Sequence, residues 1–194
     1  MKVLTLVAAL SIASPCFATT IVIPGTSDLW LAGQPAGARA SGFTVGSLGV
    51  DVAPAQSPVS VSLNVGQTYE FFASGCVSNG DLSLWPCLGP DGGFLVSHFA
   101  GAENGIANVT LPLDSLIGLW AGSSAPFLVG SHLLFVASAP TLYLGTMDGW
   151  EWSNNSGAFI IEWREDRRVD PNPVPEPSTL GIIALGLLWI RRRT

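Results

Sequence analysis

The chain has 194 residues, eight Lys and Arg against fourteen Asp and Glu, a net charge of −6 and only 11% charged residues. Between Thr19 and Val174 the bases are Arg39, Arg164, Arg167 and Arg168, whereas only one acid, Glu176, lies outside that span. A body this acidic, with no lysine, argues against nucleic acid and anionic lipid as partners and favours cations.

The first segment is a secretory leader. One basic residue, Lys2, precedes the apolar run Val3–Ala13, and Cys16-Phe17-Ala18 places small residues where a signal peptidase reads, so residues 1–18 are expected to be removed. Pro15 stands before Cys16 where a lipobox needs a small flexible residue, which sets lipid attachment aside.

Residues 19–163 read as one all-β domain, a sandwich or a barrel. Gly and Pro punctuate the segment and no helical apolar period is sustained. Val59–Leu63 alternates apolar and polar, Asn64–Gln67 turns, and Thr68–Ser74 returns as an aromatic-rich strand. Further strands are expected over Asn108–Leu111, Leu116–Trp120, Leu133–Ala137, Thr141–Met147 and Ala158–Trp163. Cys76 and Cys87, in an oxidising compartment, read as a disulfide sooner than as a metal site.

Residues 164–174 turn charged and Pro-rich and read as an exposed linker. Residues 175–194 form a tail in three parts: Pro175-Glu176-Pro177-Ser178-Thr179, the apolar Leu180–Ile190, and Arg191-Arg192-Arg193. Prolines stop incoming structure, an apolar run seeks lipid, and a basic cluster stays cytoplasmic. The order resembles the PEP-CTERM sorting signal, which implies recognition of Pro175, Glu176 and Pro177 by an exosortase. The implied address is the envelope, outer surface or medium, with transient or retained inner-membrane anchoring. Eleven apolar residues make about 16 Å of helix at ~1.5 Å per residue against ~30 Å of hydrocarbon, so the segment suits a transient anchor more than a durable span.

Motifs for catalysis are scarce, and a non-enzymatic protein is expected. His98 and His132 are the two histidines, neither lies in a His-Glu-x-x-His pattern, and no Gly-x-Ser-x-Gly elbow or phosphate-cradling loop occurs. The segment Leu144–Phe159 carries hard oxygen donors instead. Calcium takes six to eight oxygens, and Asp148, Asn154 and Asn155 offer three side-chain donors in a short loop that Gly149 and Gly157 allow to curl. The same residues also make an ordinary polar hairpin turn. Trp150 and Trp152 flank the loop, either as a platform for a sugar ring or as packing that anchors it.

Asn154-Asn155-Ser156-Gly157-Ala158-Phe159, with Asp148 upstream, resembles the calcium and sugar loop of the PA-I-type galactophilic lectins. Asn64–Thr68, Phe72–Gly80, Gly89-Pro90-Asp91-Gly92 and Ser115–Gly118 have counterparts in the same order. The resemblance implies a single β-sandwich of jelly-roll-like form, calcium as cofactor and a galactoside, or another extracellular polysaccharide, as partner. It implies side-chain ligands at Asp148, Asn154 and Asn155, a backbone carbonyl at Asn79, and another at Glu151 or, because the loop is one residue shorter here, at Trp152. Asp148, Asn154, Asn155, Trp150 and Trp152 would also contact sugar. The family uses a histidine and a glutamine in the loop after the Gly-Pro turn, where His98 and Asn104 are the similar residues. With Asp148 as the one certain anion, the expected calcium affinity falls in the ~0.1–1 mM class. The alternative is a structural envelope or matrix protein that does not bind sugar.

Overall fold

The computed structural model describes residues 19–40, 50–80, 86–98 and 102–165. The leader, the sorting tail and the linker from 166 onward lie outside the described residues, as do the cleavage-site residues near Cys16. Among the described residues no helix is long and apolar enough to cross a membrane.

Among the described residues twelve strands appear in chain order: β1 (Thr19–Pro24), β2 (Arg39–Ala40), β3 (Asp51–Val52), β4 (Val59–Ser62), β5 (Thr68–Ser78) and β6 (Leu95–Ser97) come first. β7 (Thr110–Pro112), β8 (Leu116–Trp120), β9 (Phe127–Leu128), β10 (His132–Val136), β11 (Thr141–Thr146) and β12 (Ser156–Glu165) follow. They build two four-stranded antiparallel sheets, ordered β1-β12-β5-β10 and β4-β11-β8-β9, with the small pairs β2-β3 and β6-β7 beside them. The chain is all-β, as its punctuation and alternation imply.

The period of two places the core. On β1, β5 and β12 the residues Ile23, Tyr69, Phe71, Val77, Phe159 and Ile161 point inward, while Val22, Phe72 and Ile160 between them face out. Val61, Leu116, Leu142 and Leu144 meet them from the other sheet. Each large side chain so buried contributes about 1.5–3 kcal/mol. β8 is buried on both faces: Leu116 enters this core, and Ile117 and Leu119 enter a second cluster with Leu29, Trp30, Met147 and Trp152. That explains its unbroken apolar run, Leu-Ile-Gly-Leu-Trp.

The strands depart from expectation at their ends. β5 continues to Ser78, past Gly75, and pairs with β12 from Ser156↔Ser78 to Glu165↔Tyr69. Gly157, opposite Val77, has φ of 86°, and a Cβ there would collide with the Cys76 carbonyl, so this crossing needs glycine. β12 runs two residues into the expected linker because Arg164 donates two hydrogen bonds to Glu70 on β5, at 2.9 and 2.6 Å. The strand expected over Asn108–Leu111 is shifted to Thr110–Pro112. β1 was not expected; its Ile21 and Ile23 alternate inward where it pairs with β12. Cys76 and Cys87 are disulfide-bonded, with Cα atoms 5.4 Å apart.

Candidate functional site

One end of the sandwich gathers the polar residues of interest. β11 runs into the loop that returns as β12, and β5 ends beside the start of β12. The turn before β8 lies against that loop, because the Asp114 N–H donates to the Met147 carbonyl at 2.8 Å.

Asp148 follows β11 and caps its own turn: Oδ1 accepts the N–H groups of Gly149 at 2.6 Å and Trp150 at 3.3 Å. Asn155 lies just before β12, hydrogen-bonds the Asp148 carboxylate, and donates from Nδ2 to the Gly25 carbonyl at 3.3 Å. Asp114 adopts φ of 57°, and its Oδ2 accepts the Asn79 N–H at 3.1 Å. Asp114 and Asp148 are each 1% exposed and Asn155 is 6% exposed, yet Asp114 Oδ1, Asp148 Oδ2 and Asn155 Oδ1 have no protein partner. Buried oxygens without donors are costly unless something positive is added.

The electrostatics agree. Burial pushes the Asp148 carboxyl up to about 6, against the hydrogen bonds of Asn155, Trp150 and Gly149. Burial, then the neighbouring charge of Asp148, pushes Asp114 up to about 7. Of the described arginines, Arg164 is engaged with Glu70 and Arg39 is exposed. Neutral oxygen donors and carboxylates are the ligands that hard cations such as calcium prefer, so the residues present fit that ion. The donor set is two carboxylates and an amide; among the described residues no group of three or more His, Cys, Asp or Glu could hold a metal.

The other expected site residues are dispersed. The structure joins Asn155 to Asp148, and Asn79 to Asp114. Asn154 is exposed on the same loop, and its N–H donates to the Glu151 carbonyl at 3.2 Å. Glu151 is left-handed, with φ of 58°, and starts the 3-10 turn Trp152–Asn154. The Trp152 carbonyl accepts the Asn155 N–H at 3.0 Å, so both carbonyls are already used within that turn.

Two of the residues expected to contact sugar, Trp152 and His98, are buried. Trp152 is fully buried: its Nε1 donates to the Thr146 carbonyl at 2.6 Å, and its ring lies 5.5 Å from Trp30 and 5.7 Å from His98. An indole so enclosed has no face for a ligand; it anchors the loop. His98 is also fully buried, stacked on Trp30 at 4.0 Å and 3.4 Å from Glu103. Asn104 forms the tip of a two-residue turn with Gly105, both at positive φ, and its amide donates to the carbonyls of Trp30 at 2.8 Å and Arg39 at 3.1 Å. Trp150, half-buried, is the loop indole left with exposed surface.

Asp114, Asp28 and Asp51 did not emerge from sequence reasoning. Asp51 accepts the N–H groups of Trp152 and Ser153, both at 3.0 Å, and so docks the loop. Asp28 accepts the Trp30 N–H at 2.8 Å, and burial, with Asp51 nearby, raises its carboxyl well above the ordinary range. The available signal was a carboxylate inside an apolar stretch, as Asp114 is within Leu111–Trp120.

Likeness to known proteins bears on the tail and on the sandwich. Residues 173–193 match the PEP-CTERM protein-sorting motif, which marks the chain for exosortase-type export with a membrane-associated C-terminal signal. Among solved structures the chain is similar to the EclA N-terminal domain, a PllA-like lectin, at 26% identity and a TM-score of 0.39, over 55% of this chain and 82% of that one. No curated protein matches.

Proposed function

We propose that the exported sandwich binds a calcium ion at Asp148 and Asn155 and uses it to hold a carbohydrate, with galactosides the first class to test. One observation carries the cation: buried oxygens of Asp148 and Asn155 stand without donors beside a second carboxylate. Calcium accepts neutral hydroxyl oxygens as ligands alongside protein carboxylates. Exposed Asn154 and half-buried Trp150 line the solvent side of the loop, where a saccharide would approach. The sugar itself rests on the motif order of the lectin resemblance.

Calorimetry at millimolar calcium is expected to show binding that Asp148→Ala abolishes, and a galactoside array is expected to bind only with calcium present. An absence of calcium binding overturns the whole reading. The burial of Trp152 and His98 favours a second reading, in which the ion only fastens the loop. Calcium that raises the melting temperature while the array stays blank selects that one.

A further inference from the structure

We infer that Asp114 is a second carboxylate ligand of this cation, an assignment that rests on the cation reading above and gives the ion two negative charges to meet instead of one. Asp114 holds a left-handed backbone, with φ of 57°, which non-glycine residues adopt at a cost. Its N–H is fixed to the carbonyl of Met147, the residue before Asp148, at 2.8 Å. Oδ2 receives the Asn79 amide at 3.1 Å, which leaves Oδ1 buried and unpartnered. A buried carboxylate that receives only one donor is costly to keep charged without a counter-ion. A charge here makes sense if a positive charge shares the site, and no lysine lies between Thr19 and Val174 to supply it.

The placement has a mechanical consequence. Asp114 leads into β8 and Asp148 follows β11, both in one sheet, whereas Asn155 leads into β12 in the other. An ion held by all three ties the two sheets together at one end of the sandwich. Two carboxylates neutralise a divalent charge, so binding should be tighter than the ~0.1–1 mM class of extracellular modules.

The test uses the full chain in detergent, titrated with calcium chloride by calorimetry and followed by thermal melts. Wild type is compared with Asp114→Asn and Asp148→Asn. Asn at 114 keeps an acceptor for the Asn79 amide and removes the charge; Asp114→Ser is carried in parallel in case Asn does not fold. The expected result is at least tenfold weaker calcium binding in every variant. Asp114→Asn should also melt higher than wild type in calcium-free buffer and lower at millimolar calcium. If Asp114→Asn and Asp114→Ser bind calcium as tightly as wild type while Asp148→Asn does not, Asp114 is no ligand and the cation reading stands. If wild type binds no calcium, both readings fall together.

Discussion

The loop from Met147 to Asn155 treats its two sides differently. On its inner side, Asp51 receives two loop N–H groups, one on each oxygen, while the Trp152 indole is closed off by Thr146, Trp30 and His98. Elsewhere around the loop, Asp148 gives one oxygen to its own turn and Asp114 gives one to the Asn79 amide, each keeping the other without a donor, while Asn155 donates its Nδ2 to Gly25 and leaves its Oδ1 without one. Asp51 fastens the loop with both of its oxygens supplied with donors. A buried carboxylate that holds an oxygen in reserve is poised for a ligand. Asp51 and Asp148 are the contrasting pair.

The largest expected effect breaks the inner side. Trp152→Ala removes a fully buried indole and its hydrogen bond to Thr146, which should destabilise the domain by about 3–5 kcal/mol in denaturant unfolding. The comparison would be wrong if the variant kept wild-type stability and lost only glycan binding, since Trp152 would then be a ligand platform after all.

Asp148 and Asn155 could be read from the chain because the donors lie close together in a loop punctuated by glycine. Asp114 could not. Its partner Asn79 is thirty-five positions away, and a lone acid before Ser115-Leu116-Ile117 looks like an ordinary turn residue. Trp150 and Trp152 are equivalent in sequence, and what separates them is the 3-10 turn that buries the second. Alternation revealed β4 and most of β5, whose faces see core and solvent. β8 showed only an apolar run, because both of its faces are covered and no period of two survives. β1 was hidden by its position, directly after the expected cleavage site.

An intermediate effect sharpens the contrast through pH. Asp114 and Asp148 have carboxyls raised to about 7 and about 6 from an ordinary 3.8, and Asp28 and Asp51 are raised in the same direction. The folded state therefore holds protons that the unfolded chain releases at lower pH. The stability this provides is complete below about 4 and is lost as pH rises to about 7. In calcium-free buffer the melting temperature should fall across that window. Saturating calcium should flatten the fall, since the ion replaces the protons on Asp114 and Asp148. A calcium-free profile that rises over the same range would mean that these carboxylates are stabilised as anions by the protein itself, and no cation would be needed.

The smallest effect tests which side Asn104 belongs to. Asn104→Ala removes two hydrogen bonds, to the Trp30 and Arg39 carbonyls, and places alanine at φ of 52° in the Asn104-Gly105 turn, which together should cost about 1–2 kcal/mol. Asn104→Gly keeps the turn and loses only the hydrogen bonds, so it should cost less. Both variants should retain the full calcium-induced rise in melting temperature, because Asn104 is bound to the Trp30 segment beneath the loop and not to Asp148 or Asn155. Glycan binding that disappears in Asn104→Gly while the calcium response persists would instead put the Asn104 amide in contact with the sugar, and the line drawn between anchoring and binding residues would have to move.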